Sequence, residues 1–138
     1  MRRVGWAVFA AALAGCSPRA PEVDGAWVRL PAVPGRPAAA YFTVSGGGDG
    51  ATLAGVSSAQ VSRAELHESM ANGMRPTPRV VVPAGGTVTF VPAGRHVMLY
   101  DVAPAVRPGV TLPLRFTFTD GKRVEVEATV VGPADPAP

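Results

Sequence analysis

The sequence predicts an all-β fold, an antiparallel β-sandwich of about eight strands, and three observations support it. Hydrophobic residues make up 47% of the 138 residues and charged residues 17%, so a packed core can form. The 16 Gly and 15 Pro lie scattered between short apolar runs, a pattern typical of many turns. Beyond the N-terminal segment, no stretch keeps a helical period for long.

The first residues have the layout of a secretory signal. Arg2 and Arg3 precede an apolar stretch that is too short to span a bilayer. The run Leu13-Ala14-Gly15-Cys16 resembles the bacterial lipobox, which implies cleavage before Cys16 and lipid attachment to that residue. We therefore expect a signal peptide at residues 1–15 and a periplasmic protein held at a membrane by lipid on Cys16. An ordinary signal peptide with a coincidental cysteine is the alternative.

Residues 16–24 are polar and contain Pro, which is typical of a tether. Nine short runs, rich in β-branched and aromatic residues and bounded by Gly or Pro, predict strands within a domain at 25–131. These runs are 26–30, 39–45, 52–57, 64–69, 79–82, 87–90, 96–102, 110–118 and 123–131. The Pro-rich end at 132–138 cannot pair in a sheet and predicts a flexible tail.

Glycine marks the turns between these runs, at 46–50, 72–73, 84–86, 92–94 and 120–121. Alternation of apolar and polar residues is clearest at 114–119 and 123–128, on either side of Asp120-Gly121. This pattern predicts a hairpin with one buried and one exposed face.

Charge and cysteine content exclude several kinds of protein. Removing Arg2 and Arg3 from the 13 basic residues leaves 11 against 10 acidic ones, so the pI does not reflect a basic surface, and nucleic-acid binding is not expected. Cys16 is the one cysteine, so neither an internal disulfide nor a thiolate metal site is available to the domain.

Histidine and methionine residues are concentrated in one part of the chain. His67, Met70, Met74, His96 and Met98 are all the His and Met residues after the start methionine. His96 and Met98 are two apart on a predicted strand, so their side chains share a face. Imidazole nitrogen and thioether sulfur form a ligand set that favours Cu(I) over Zn, Mg or Ca. A blue-copper site is excluded, because it needs a cysteine thiolate.

Several stretches resemble the periplasmic copper chaperone family PCu(A)C. They are Glu65-Leu-His67-Glu, Asn72-Gly-Met74-Arg-Pro76, Val82-Pro-Ala-Gly-Gly-Thr87 and Pro92-Ala-Gly-Arg-His96-Val-Met98-Leu99. The resemblance spans roughly residues 24–131. It implies a cupredoxin-like Greek-key sandwich that binds Cu(I) through two His and two Met, here His67, Met74, His96 and Met98.

One interval departs from the family pattern, His-x10-Met-x21-His-x-Met. Twenty-one residues separate Met74 from His96, as in the family, but six rather than ten separate His67 from Met74. Met70 is therefore the alternative fourth ligand. We favour Met74, because Met70 has the opposite strand parity to His67, whereas Met74 follows a turn that reverses the chain.

The family resemblance implies a non-enzymatic metallochaperone that delivers Cu(I) toward the CuA centre of cytochrome c oxidase. Its partner would be a copper-receiving protein such as oxidase subunit II or another oxidase assembly factor, and the chaperone itself is expected to be a monomer. Copper storage or resistance without a dedicated recipient is the alternative. An enzyme is not expected, since the chain has no Ser-His-Asp or Cys-His set beyond the two histidines already assigned to metal.

Overall fold

The computed structural model describes residues 18–138. Within them the chain forms ten β-strands and no helix. The strands are β1 Glu22–Arg29, β2 Ala38–Ser45, β3 Ala51–Ser57, β4 Arg63–Met70, β5 Gly73–Pro76, β6 Val80–Val82, β7 Thr87–Phe90, β8 His96–Tyr100, β9 Thr111–Phe118 and β10 Arg123–Val131. The all-β class predicted from the sequence is confirmed.

The strands form one continuous hydrogen-bonded sheet in the order β5-β4-β8-β2-β1-β10-β9-β3-β6, with β7 also paired to β2. Every pair is antiparallel except β1 with β10, which is parallel. The sequence predicted an antiparallel sheet throughout. It did not anticipate that the first and last strands, which no hairpin joins, would lie side by side in the same direction.

The sheet folds over on itself into two layers. The rings of Phe42 in β2 and Phe116 in β9 lie 4.6 Å apart in an edge-on contact, although two strands separate β2 from β9 in the sheet. Phe42 also stacks on Phe90 of β7 with ring centroids 4.3 Å apart. The core therefore lies between the layers, as in a sandwich.

The predicted β9–β10 hairpin is present. Leu112, Leu114, Phe116 and Phe118 of β9 are buried, and the residues between them face outward or lie partly buried. Asp120 and Gly121 form the turn, with Gly121 at φ 87°. Period-two alternation was a sufficient signal here, because one face of this hairpin packs on the core and the other faces solvent.

Two strands differ from the expected pattern. β1 begins at Glu22, four residues before its predicted start and within the predicted tether at 16–24, because a bulge between Asp24 and Trp27 and the positive φ of Gly25 break the alternation. β5 was not predicted at all. Its residues are all exposed, so no apolar period marks it, and it is defined by its pairing with β4.

Part of the predicted flexible tail is bonded to the sheet. The Arg29 guanidinium donates to the carbonyl oxygens of Pro133 and Asp135, at 3.3 and 2.6 Å. The Gly132 amide donates to the Asp135 carboxylate at 2.6 Å. Proline removes ladder donors, but it leaves carbonyl acceptors that an arginine can use.

The predicted signal peptide at 1–15 and the lipidation site Cys16 lie outside the described residues. From Pro18 to the C-terminus, no helix is long and apolar enough to cross a membrane.

Candidate metal centre

The two histidines lie directly opposite each other on neighbouring strands. β4 and β8 run antiparallel, and their register pairs His67 with His96. Side chains of such a pair project to the same side of the sheet, and the two imidazole centroids are 5.4 Å apart. Leu66 and Val97, one step along the same ladder, point the other way into the core. The histidine pair therefore stands on the outer face of a well-packed ladder.

Each imidazole uses one ring nitrogen in a hydrogen bond to the protein. His96 Nδ1 lies 3.0 Å from the Gly94 carbonyl oxygen, and His67 Nε2 lies 3.1 Å from a carboxylate oxygen of Glu65. Because both partners are acceptors, the hydrogen-bond network assigns the proton to these nitrogens in the neutral rings. The other nitrogen of each ring therefore carries a free lone pair.

Those free nitrogens are buried. Within residues 18–138, His67 Nδ1 and His96 Nε2 are shielded from solvent and have no hydrogen-bond partner, and His96 as a whole is 3% exposed. Leaving a buried polar atom unpaired costs roughly 1–3 kcal/mol. Two such atoms on facing residues leave two lone pairs available to an acceptor such as a metal ion.

Glu65 is the centre of the polar network around His67. Its carboxylate accepts hydrogen bonds from His67 and from the Tyr100 hydroxyl, the latter at 3.2 Å, and pairs with Arg63 at 3.2 Å. The hydrogen bond from His67 has the largest effect on the pKa of Glu65 and lowers it. Burial, next in size, opposes this shift, but the Tyr100 hydrogen bond and the charge of Arg63 add to it, so the pKa is lowered. The carboxylate is thereby kept ionised and oriented toward His67, as outer partners of metal-bound histidines commonly are.

Met98 lies on the same outer face. It is two residues after His96 in β8 and directly opposite Glu65 in the ladder. Its side chain is partly buried. A thioether is thus available next to the histidine pair.

The β4–β5 hairpin separates the two remaining methionines. Met74 pairs with Ser69, which is two residues from His67, so Met74 shares the face of the histidines. Met70 closes the hairpin opposite Gly73 and has the parity of the core-facing Leu66. The turn residues are Ala71 and Asn72, one position earlier than predicted. Met74 is 61% exposed, on a strand paired along one edge.

A short loop between β7 and β8 supplies the partner of His96. Both strands pair with β2 in succession, so residues 91–95 bulge out of what would otherwise be one strand. Within the bulge Ala93 takes φ 67° and the Gly94 amide donates to the Val91 carbonyl. The Gly94 carbonyl then accepts from His96 and, at 3.2 Å, from the Ser69 hydroxyl.

The structure places all four predicted ligands on one outer face, across β4, β5 and β8. Within residues 18–138, no group of three His, Cys, Asp or Glu residues could hold a metal ion. Sequence reasoning did not identify Glu65, Tyr100 and Gly94 as members of the hydrogen-bond network around the histidines. Glu65 could have been found, because it is two residues from His67 and so shares its face, but the other two depend on pairing and loop geometry.

A family model described as "Putative lipoprotein LpqE-like" matches residues 22–130. A relative from Leifsonia xyli subsp. xyli, "Putative lipoprotein Lxx21020", is 29% identical over 115 residues, which cover 79% of this chain and 68% of the relative.

Solved structures share the fold. The copper-bound PCuAC domain from PmoF2 aligns with a TM-score of 0.71 and 24% identity, covering 85% of this chain and 97% of that domain. The solution structure of Cu(I)-DR1885 from Deinococcus radiodurans aligns with a TM-score of 0.65 and 29% identity, covering 87% and 82%. These likenesses confirm the cupredoxin-like fold expected from the sequence.

Proposed function

Because the chain belongs to the LpqE-like lipoproteins of the PCuAC family, we propose that it is a periplasmic Cu(I)-binding metallochaperone held at a membrane by lipid on Cys16. The predicted resemblance to that family is confirmed. Two structural relatives are described as copper-bound or Cu(I)-loaded, which supports copper as the cargo.

The observation that carries the proposal is the pair of unpartnered, buried imidazole nitrogens on facing strands, His67 Nδ1 and His96 Nε2. Two neutral nitrogen donors with thioethers on the same face form a soft, uncharged ligand set suited to Cu(I). We assign His67, Met74, His96 and Met98 as the ligands, with Glu65 and the Gly94 carbonyl fixing which nitrogen of each ring faces the ion.

The histidines and Met74 differ in their exposure to solvent, and this difference suits transfer of copper to a partner. His67 and His96 are largely buried, while Met74 is exposed on edge strand β5. A partner's ligand can reach Met74 without unfolding the domain, so it is the first bond we expect to exchange. Thioethers carry no proton, and their displacement leaves no buried charge behind.

The family resemblance favours delivery toward the CuA centre of cytochrome c oxidase, through subunit II or another assembly factor. A copper-transfer assay distinguishes delivery to a recipient from copper storage. The copper-loaded protein should metallate a copper-free CuA domain faster than the same concentration of Cu(I) held by a small chelator. A slower or equal rate would favour storage.

A competition titration tests the site itself. The mature chain with Cys16→Ser, titrated with Cu(I) against a chelator of known affinity, should bind one ion. His96→Ala and Met98→Leu should each weaken binding by at least about tenfold, whereas Glu68→Gln, on the opposite face, should not. Because a ligating imidazole must be neutral, protons compete with Cu(I) for the same nitrogens and affinity should weaken in acid. Binding that is unchanged between pH 5 and 8 would contradict histidine ligation.

The lipid anchor is tested separately in cells. Cys16→Ser should move the protein from the membrane fraction to the soluble periplasmic fraction without changing Cu(I) affinity. Retention of the variant on membranes would contradict anchoring through Cys16.

A further inference from the structure

We propose that the glycine loop at residues 46–48 fastens the segment following Cys16 to the fold. Two peptide links then join the lipidated residue to the fold, so that the β2–β3 end of the sandwich faces the lipid surface. The inference rests on the proposed lipidation of Cys16. It concerns which face meets the bilayer, and is independent of how copper is bound.

Direct contacts join the loop to the N-terminal segment. The Gly48 amide donates a hydrogen bond to the Arg19 carbonyl at 2.8 Å. A Cβ atom at Gly47 would collide with that same carbonyl oxygen, and one at Gly48 would lie 2.9 Å from Cβ of Pro18. Two consecutive positions thus exclude side chains because the N-terminal segment occupies the space.

The loop is itself tied to the end of the sandwich. The Gly46 amide donates to the Gly86 carbonyl at 2.9 Å, and the Gly85 amide to the Gly47 carbonyl at 2.8 Å. Past Arg19 the chain continues through buried Pro21 into β1, whose Glu22 pairs with Ser45 beside the loop. From Pro18 onward, therefore, the segment predicted to be a tether is part of the fold.

This attachment shortens the connection between lipid and fold. Two peptide links join Cys16 to Pro18 and reach at most about 7.6 Å. A free nine-residue tether would span roughly 15–18 Å on average and allow every orientation. The exposed residues next to the anchor include the small residues Gly48, Ala84 and Gly85 together with the charged residues Arg19 and Asp49.

The attachment also limits the distance between the copper site and the membrane. Ala40 of β2 pairs with Val97, so the next step of the ladder places Tyr41 level with His96. Tyr41 and Gly46 are five residue steps apart along extended chain, a distance of about 16 Å. The metal face is therefore held within about 30 Å of the lipid, which suits a recipient whose own metal site lies near the membrane surface.

Trypsin cleavage after Arg19 tests the attachment in the soluble Cys16→Ser chain. Gly47→Ala should speed release of the N-terminal fragment by at least about tenfold, because cleavage follows the population of the detached segment. Gly85→Ala is the matched control, since Gly85 has a similar positive φ, 65° against 68°, but an added Cβ meets nothing. Equal cleavage rates in the wild type and Gly47→Ala would overturn the attachment.

Amide exchange provides a second measurement that requires no substitution in the loop. The Gly48 amide should be protected in the chain that begins at Cys16→Ser and should exchange at least about tenfold faster in a chain that begins at Glu22. Rapid exchange in the longer chain would overturn the proposal. Unchanged Cu(I) affinity in every variant separates this result from a failure of the proposed copper site.

Orientation is tested with the lipidated chain in nanodiscs that contain a gadolinium-chelating lipid. The NMR resonances of the Gly48 and Ala84 amides should broaden strongly, and those of the Val33 and Ala103 amides at the opposite end should not. A ten-residue Gly-Ser insertion between Ser17 and Pro18 should remove this difference. Equal broadening of both ends without the insertion would overturn the proposed orientation, whatever the copper affinity.

Discussion

Glu65 accepts hydrogen bonds from His67 and Tyr100 and pairs with Arg63, so one carboxylate determines which nitrogen of His67 is left for copper. Replacing it with Gln keeps the size but removes the charge that orients the ring. We expect Glu65→Gln to weaken Cu(I) binding about tenfold or more, measured by chelator competition. Glu68→Gln removes an exposed carboxylate paired with Arg95 on the other face and should leave affinity unchanged.

The same residue gives the apoprotein a specific acid sensitivity. Its pKa is lowered in the folded state from the ordinary value of 4.5, chiefly by the hydrogen bond from His67. A lowered carboxylate pKa stabilises the fold above the unfolded value, and this contribution disappears as pH falls through the folded value. In urea unfolding, the stability advantage of the wild type over Glu65→Gln should therefore be present at pH 6 and shrink steadily from pH 4.5 downward. A constant advantage down to pH 3 would contradict this assignment.

Parity along the β4–β5 hairpin distinguishes the two candidate methionines. Met74 pairs with Ser69 on the histidine face, and Met70 has the opposite parity. Leu preserves the volume of Met and removes the sulfur. We expect Met74→Leu to weaken Cu(I) binding by about tenfold, on the order of one lost ligand, and Met70→Leu to have little effect. The reverse result would move the fourth ligand to Met70 and leave the chaperone proposal standing.

At the scale of strands, the bulge at residues 91–95 takes Ala93, a non-glycine residue, into left-handed φ at 67°. A left-handed conformation costs a non-glycine residue roughly 1 kcal/mol. We expect Ala93→Gly to raise the free energy of unfolding by about 0.5 kcal/mol, measured by urea denaturation. Ala84→Gly, at an exposed loop position without positive φ, should lower it slightly.

The strands themselves show what the sequence could and could not predict. β9 and β10 were predicted within one residue, because alternation directly reflects burial of one face. β5 was missed because Arg75 and Pro76 carry no apolar period and the strand exists through pairing with β4. His96 and Met98 share a face, as their spacing within a strand predicted, while the pairing of His67 with His96 depends on register between distant strands, which no local pattern encodes.

At the scale of the whole molecule, the candidate metal face and the core are two sides of one ladder. Leu66 and Val97, the ladder pair next to His67 and His96, point inward, and Phe42 links their layer to Phe116 of the other layer. Loss of a side chain from this ladder should therefore destabilise the entire sandwich rather than a local segment. The candidate ligands come from three strands, and an unfolded chain cannot hold them together.

Copper should consequently stabilise the whole fold. A ligand that binds the native state alone adds about 2.7 kcal/mol to the free energy of unfolding when its free concentration is one hundred times Kd. We expect this increase in chemical denaturation of the Cys16→Ser chain under reducing conditions with buffered Cu(I), and its loss on addition of a stronger chelator. His96→Ala supplies the control, because the free energy of unfolding of this variant should not change at the same copper concentration. A wild-type midpoint that does not move with copper would mean that the metal binds the unfolded chain as well as the sandwich, and would remove the basis for a preformed site between β4 and β8.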